Sequence, residues 1–417
     1  MSLSRPVNPR SLSLSAVLLL AFAPLWSFGQ TEAGEGERLY ELKCGRCHAA
    51  YLPQKYSVEE WKTVFVDMGP LAGLDARSEE AILGYLERKT AGTAKRGLPT
   101  SPVLAGYLYT EFFSSKDAVD TFDMHYLNFN VAGRLHERVS YRAEFELEHG
   151  GGRTDPPFVE QAYLDLRLAR SLAVRVGAIL TPFNRFDEFH GPLENFLVNR
   201  PQMAREVGVS AWKDVGVDVH GTLFLGKSVY LNYDLYLING LGAGTRLRTS
   251  RQYLDNNDAK SFGVRLSGVL SDRWEVGLSV HRGAWDAGGD YDLTLAGVHV
   301  LGKVGELSLF GEYAQALSEN PPPAGRGKAS GYFLQASYLF DRKFRPTVQF
   351  GTLDYLDAGT LLGRRPTDLD ANAFALGLNY YLTPAIVFKV EYDFVGEGPR
   401  KAKTSNDLFA LQAAVRF

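Results

Sequence analysis

Beyond residue 102 apolar residues recur at every second position, and that period leaves few folds open. In "YRAEFELEHG", Tyr141, Ala143, Phe145 and Leu147 alternate with Arg142, Glu144, Glu146 and Glu148. Ala162, Leu164, Leu166 and Leu168 alternate with Gln161, Tyr163, Asp165 and Arg167, and Phe388, Val390, Tyr392 and Phe394 with Lys389, Glu391 and Asp393. Such runs are strands with one apolar and one polar face, a pattern shared by soluble sandwiches and membrane barrels. Loop lengths separate the two. Tight connections at 135–137, 169–171, 225–227, 271–273, 303–305, 340–342 and 382–384 alternate with long ones near 149–157, 182–206, 239–259, 284–290, 318–329, 354–369 and 395–405. Short periplasmic turns and long external loops belong to outer-membrane β-barrels, so residues 103–417 are expected to form an all-β transmembrane barrel of about 16 strands with both termini in the periplasm.

Composition agrees, with 42 Gly, 21 Tyr and 25 Phe, and the formal net charge of −3 gives no reason to expect nucleic acid. The chain ends Phe409-x-Leu411-x-Ala413-x-Val415-x-Phe417, an alternating strand closed by the terminal phenylalanine that looks like an outer-membrane insertion signal. At the other end, Arg5 and Arg10 precede an apolar stretch from Leu14 to Trp26, and Ser27-Phe28-Gly29 is a cleavage-type small-x-small pattern. Residues 1–29 therefore read as a signal peptide. An inner-membrane anchor needs roughly 20 apolar residues, more than this run holds.

Residues 30–89 follow a helical period and carry the chemistry. Cys44-Gly45-Arg46-Cys47-His48 is the CxxCH pattern of covalent haem c attachment, and it holds both cysteines of the chain. Thiols one helical turn apart can each add to a haem vinyl group, and His48 then sits beneath the ring as the proximal iron ligand. A zinc site would need further Cys or His partners at suitable spacing. Trp61, Val64, Phe65 and Met68 form one stripe of a helix opened by Ser57-Val58-Glu59-Glu60, and Met68 is the candidate distal ligand, a thioether that would raise the haem potential. Met68 could instead fill the core, leaving the iron five-coordinate or bound by a barrel residue. An enzyme reading, such as a peroxidase with an open sixth position, requires that Met68 not bind.

The flanking residues resemble a class I cytochrome c domain, a small all-α fold in which the first and last helices cross through a glycine and an aromatic. The resemblance assigns that contact to Gly36 and Tyr40 and the last helix to a start at Ser78-Glu79-Glu80. A linker over 90–102 reaches at most about 43 Å at ~3.3 Å per residue, which holds one haem at or beneath the periplasmic mouth.

The stretch "VGAILTPFNRFDEFHGPLENFLVNRPQMAREVGVSAWKDVGVDVHG", followed by "LYLINGLG" and "DNNDAKSFGVRLSG", resembles porins of the phosphate-selective O/P type. That resemblance implies a 16-stranded barrel whose long loop after strand five, here 182–206, folds inward to narrow the pore. Within the loop Arg185, Arg200 and Arg205 face Asp187, Glu188, Glu194 and Glu206, a mixed set rather than a phosphate-binding cluster. The order leader, CxxCH domain, porin barrel is similar to the fused cytochrome–porins of iron-oxidising bacteria. It implies electron transfer between an extracellular small donor or acceptor, Fe(II) among them, and a periplasmic carrier. The alternative is a solute or anion porin whose haem domain docks or senses in the periplasm. Membrane lipid is a partner in either case, and fold analogy adds a homotrimer as an expectation.

Overall fold

The computed structural model describes the chain from residue 34 onward, except 45–52, 54–55, 57, 59–60, 63, 66–68, 70–71, 73, 91–102, 117, 137, 152–157, 170, 190, 226–228, 245, 272, 358–360, 362–370 and 399–405. The expected leader, Cys47, His48, Met68 and the body of the linker lie outside the described residues.

Sixteen antiparallel strands close into one barrel. They are β1 (Val103–Ser115), β2 (Thr121–His136), β3 (Val139–Glu148), β4 (Phe158–Ala169), β5 (Leu172–Leu180), β6 (Lys213–Phe224), β7 (Val229–Ile238) and β8 (Ser261–Leu270), then β9 (Trp274–Ala284), β10 (Asp292–Val304), β11 (Leu307–Glu319), β12 (Arg326–Tyr338), β13 (Phe344–Asp357), β14 (Ala371–Thr383), β15 (Ile386–Glu397) and β16 (Leu408–Arg416). All seven expected tight turns connect strands. One of them, at 340–342, places Asp341 and Arg342 at φ 47° and 57°, the left-handed backbone that matches the twist of a hairpin. One further long-side connection, 116–120, is too short to stand out in the sequence.

The barrel is inside-out relative to a soluble protein. On β3, Phe145 is 43% exposed while its neighbour Glu146 is 2% exposed; on β6, Val217 is 36% exposed and Asp218 fully buried. Apolar side chains thus face lipid, and charged ones face the lumen, which is the arrangement that a hydrocarbon solvent selects. Closure pairs β1 with β16, Tyr107 opposite Arg416. Phe417 and Gly106 exchange backbone hydrogen bonds at 3.0 Å each way, and a Cβ on Gly106 would stand 2.9 Å from the Phe417 ring. The terminal phenylalanine is therefore part of the seam.

Ahead of the barrel, a short helix (Glu35–Leu39) runs into a π-helical turn (Tyr40–Cys44), and a longer helix spans Ala76–Thr90. The longer helix starts two residues before the expected Ser78. Asp75 caps it, accepting from the backbone N–H groups of Arg77 and Ser78 at 2.9 and 2.8 Å. Gly36 lies against this helix so closely that a Cβ would come within 2.0 Å of the Ala81 carbonyl oxygen and 2.9 Å of the Tyr85 Cβ. Tyr40 packs on Tyr85 and edge-on to Trp61, with centroids 5.6 and 5.7 Å apart. Gly36 and Tyr40 thus both pack against the longer helix. Because no side chain fits there, Gly36→Ala is expected to destabilise the helical segment by ~1–3 kcal/mol. Limited proteolysis of the folded protein should show earlier cleavage before residue 90 and no change in the barrel; equal protection would contradict the packing.

Candidate functional site

Two bodies narrow this barrel, the loop after β5 and the helical segment at the short-turn end. The loop runs inside the lumen. The backbone N–H groups of Arg185 and Phe186 both donate to Glu312 Oε1 on β11 at 2.7 Å, and Arg185 Nε donates to Glu275 on β9 at 2.8 Å. Further along, Lys389 Nζ on β15 donates to the carbonyls of Asn195 and Leu197 at 2.8 and 3.1 Å, and Arg416 on β16 pairs with Glu194. Buried amides left without such partners would cost about 1–3 kcal/mol each, and buried charges more. The inward fold expected of 182–206 is thus observed, and the moored segment extends to Trp212.

Packing reinforces the mooring. Phe183, Phe186, Met203, Val207, Val209 and Trp212 from the loop bury against Ile238, Leu293, Leu295, Ala314, Phe333 and Leu353 of the wall, filling that side of the lumen with an apolar core. What stays open is polar. An outer cavity of about 650 Å³ is lined by Glu111, His125, Tyr126, Arg200, Arg205, Arg248, Arg251 and Lys389, among others. An inner cavity of about 290 Å³ is lined by Arg138, Tyr163, Asp165, Arg175 and Arg265 and closed on one side by Phe65, Gly69, Leu74 and Glu79 of the helical segment. Among the described residues the two share no lining residue. A small space of about 40 Å³ between Tyr107, Asn130, Arg142, Glu144, Glu188 and Glu194 lies next to the inner one.

Of the expected loop charges, Arg185 is tied to Glu188 and Glu275, while Asp187 accepts from the backbone of Ala211 and Trp212. These are structural roles. Arg205, Arg246 and Arg248 gather around buried Glu206 at 3.3, 3.6 and 3.7 Å. This basic group, formed by two loops, escapes a reading of 182–206 alone; the run "TRLRTSR" at 245–251 is its signal in the sequence.

The helical segment meets the barrel at the short-turn rim. Glu79 pairs with Arg134 at the end of β2 at 2.7 Å and with Arg167 at the end of β4 at 3.4 Å. Lys43 bonds to the Tyr230 hydroxyl at the start of β7, and the Arg77 guanidinium lies 5.8 Å from the Phe224 ring centroid. Cys44 ends the π-helical turn, half-buried against Leu39, Tyr40, Trp61 and Phe65. A half-buried thiol at the edge of an apolar aromatic cluster is a setting that fits covalent haem. Burial raises the Tyr40 phenol far above its usual range, and the neighbouring Cys44 adds to the shift.

A model of Gram-negative porins matches residues 84–397. The chain belongs to the Gram-negative porin family. A porin of this fold resides in the Gram-negative outer membrane. An uncharacterised protein of Aquifex aeolicus strain VF5 is 22% identical to this porin over 312 residues, 66% of this chain and 70% of the relative. Among solved structures, Salmonella typhi OmpF in complex with daunomycin superposes with a TM-score of 0.56 at 13% identity, over 76% of this chain and 97% of that one. The anion-selective porin of Comamonas acidovorans gives 0.54 at 13% over 76% and 98%, and the trimer form of Vibrio cholerae OmpT gives 0.54 at 12% over 76% and 99%. At such identities the likeness is one of fold. Among the described residues no helix is long and apolar enough to cross a membrane; the strands do so.

Proposed function

We propose that this porin is an electron conduit, carrying electrons between an extracellular small donor or acceptor, with Fe(II) among the candidates, and a periplasmic carrier. Haem c bound through Cys44 and Cys47 would supply one-electron exchange at a fixed place, with His48 as proximal ligand and Met68 as candidate distal ligand. The carrying observation is the docking of Cys44's segment across the short-turn mouth through Glu79, Lys43 and Arg77. An apolar band about 25 Å tall separates the two aqueous sides, so a redox group serves both only from inside or at the end of the lumen. Leu39, Tyr40, Trp61 and Phe65 would exclude water from one face of the group, and the Glu79 pairs would hold it over the inner cavity.

A second reading is a solute or anion porin whose helical segment docks or senses. The arginines around the outer cavity favour it, and the anion-selective neighbour carries the same fold. A homotrimer, the form of the Vibrio neighbour, fits either reading.

One pair of measurements separates them. Membrane-impermeant Fe(II) chelates added to intact cells are expected to reduce the haem within seconds, while the purified protein gives little conductance in planar bilayers. A haem that external reductants never reach, in a channel of large, haem-independent conductance, would leave only the porin reading.

A further inference from the structure

We propose that Asp123, His125, His149 and Glu111 form a binding site for a divalent first-row transition cation at the outer mouth of the pore. The site is independent of the helical segment and of the conduit reading. Asp123 and His125 lie two residues apart near the outer start of β2, hence on one face of the strand. Glu111 of β1 is the register partner of Asp123, and His149 follows the end of β3, its N–H bonded to the His125 carbonyl at 3.2 Å.

The donor atoms converge. His125 Nδ1 stands 2.8 Å from Asp123 Oδ2 and 3.2 Å from Glu111 Oε2, while His149 Nδ1 stands 2.9 Å from the same Asp123 oxygen and 3.0 Å from its twin. One ligand atom each from Asp123, His125 and His149 lies within 4.8 Å of the other two. Four donors at about 2.0–2.2 Å from a tetrahedral ion are separated by edges of about 3.4 Å. The three contacts of 2.8, 3.2 and 2.9 Å fall short of that edge by about 0.2–0.6 Å, so small outward shifts of the side chains bring those pairs to it. Two carboxylates neutralise a doubly charged ion, and two imidazoles select transition metals over magnesium or calcium.

The surroundings hold the ligands in place, as outer partners of metal sites do. Gln412 Nε2 donates to Glu111 Oε1 at 2.6 Å, which turns the other carboxylate oxygen toward His125. The His125 ring stacks on Tyr109 at 5.4 Å and meets Tyr126 edge-on at 4.6 Å. Glu111, His125 and His149 line the outer cavity, so an ion can enter from the extracellular side. Arginines on the same cavity offer a place for the ion's anionic counter-ligands.

Equilibrium dialysis of the untagged full-length protein against Zn²⁺ and Mn²⁺, with metal analysis, tests the site. One equivalent is expected to bind in excess Mg²⁺, with Kd rising at least ten-fold in both Asp123→Asn and His149→Ala. Unchanged heat-modifiable gel mobility would show that these variants fold, and His149 is exposed enough to be replaced without repacking. Equal stoichiometry and Kd in wild type and both variants, or displacement of the ion by Mg²⁺, would overturn the proposal.

Discussion

Serine at both Cys44 and Cys47 is expected to reduce covalent haem to background while the barrel still inserts. These are the chain's only two cysteines, and a serine hydroxyl does not add to a haem vinyl group. With one thiol left, a single thioether could persist, so the double substitution has the full effect. The barrel should be indifferent, since its closure depends on sixteen strand ladders in which residue 44 takes no part. The helical segment should not be. It buries Leu39, Tyr40, Trp61, Phe65, Ile82, Tyr85 and Leu86, a small core of the size that usually needs a staple or cofactor. Haem staining of a denaturing gel, pyridine haemochrome absorbance and proteolysis of the segment give three readouts. The cofactor assignment fails if wild-type protein matured in a strain competent for haem c attachment carries no stain, or if the double variant keeps it.

The barrel was legible because its determinants are local. Alternation along one strand, such as Tyr141 to Glu148, fixes which face meets lipid, and a turn such as 340–342 is written in adjacent residues. The connection at 116–120 has no such mark, because five residues fit either side of a barrel. Asp75 as a helix cap was missed for a similar reason: a lone aspartate three residues ahead of Ser78 resembles any loop residue until the backbone N–H groups that it accepts are placed. Convergence is a different matter. Glu111, Asp123 and His149 belong to three segments, and Arg205 and Arg248 to two loops; nothing local states that they meet. The inward course of the loop after β5 came from a resemblance rather than from its residues. Its anchors, Glu312, Lys389 and Arg416, sit far along the chain and read individually as ordinary lumen charges.

Those anchors lead to the other large effect. Excising residues 183–209 behind a short glycine–serine bridge is expected to raise single-channel conductance roughly ten-fold or more, because a 16-stranded barrel without an inner plug encloses an aqueous channel. The excision is sterically simple, since Leu180 and Lys213 are already register partners at the head of the β5–β6 ladder. Its cost falls on the wall: Leu293, Leu295, Phe333 and Leu353 lose their cover and face water, at about 25 cal/mol per Å² of newly exposed apolar surface. Thermal stability should therefore drop while heat-modifiable mobility persists. Substituting one anchor should do far less. With Glu312 replaced, Lys389 still holds the carbonyls of Asn195 and Leu197 and Arg416 still holds Glu194, so the loop remains pinned from β15 and β16. If the excised protein conducts no better than wild type in planar bilayers, the loop is not the plug, and the obstruction has to be the helical segment docked beneath it.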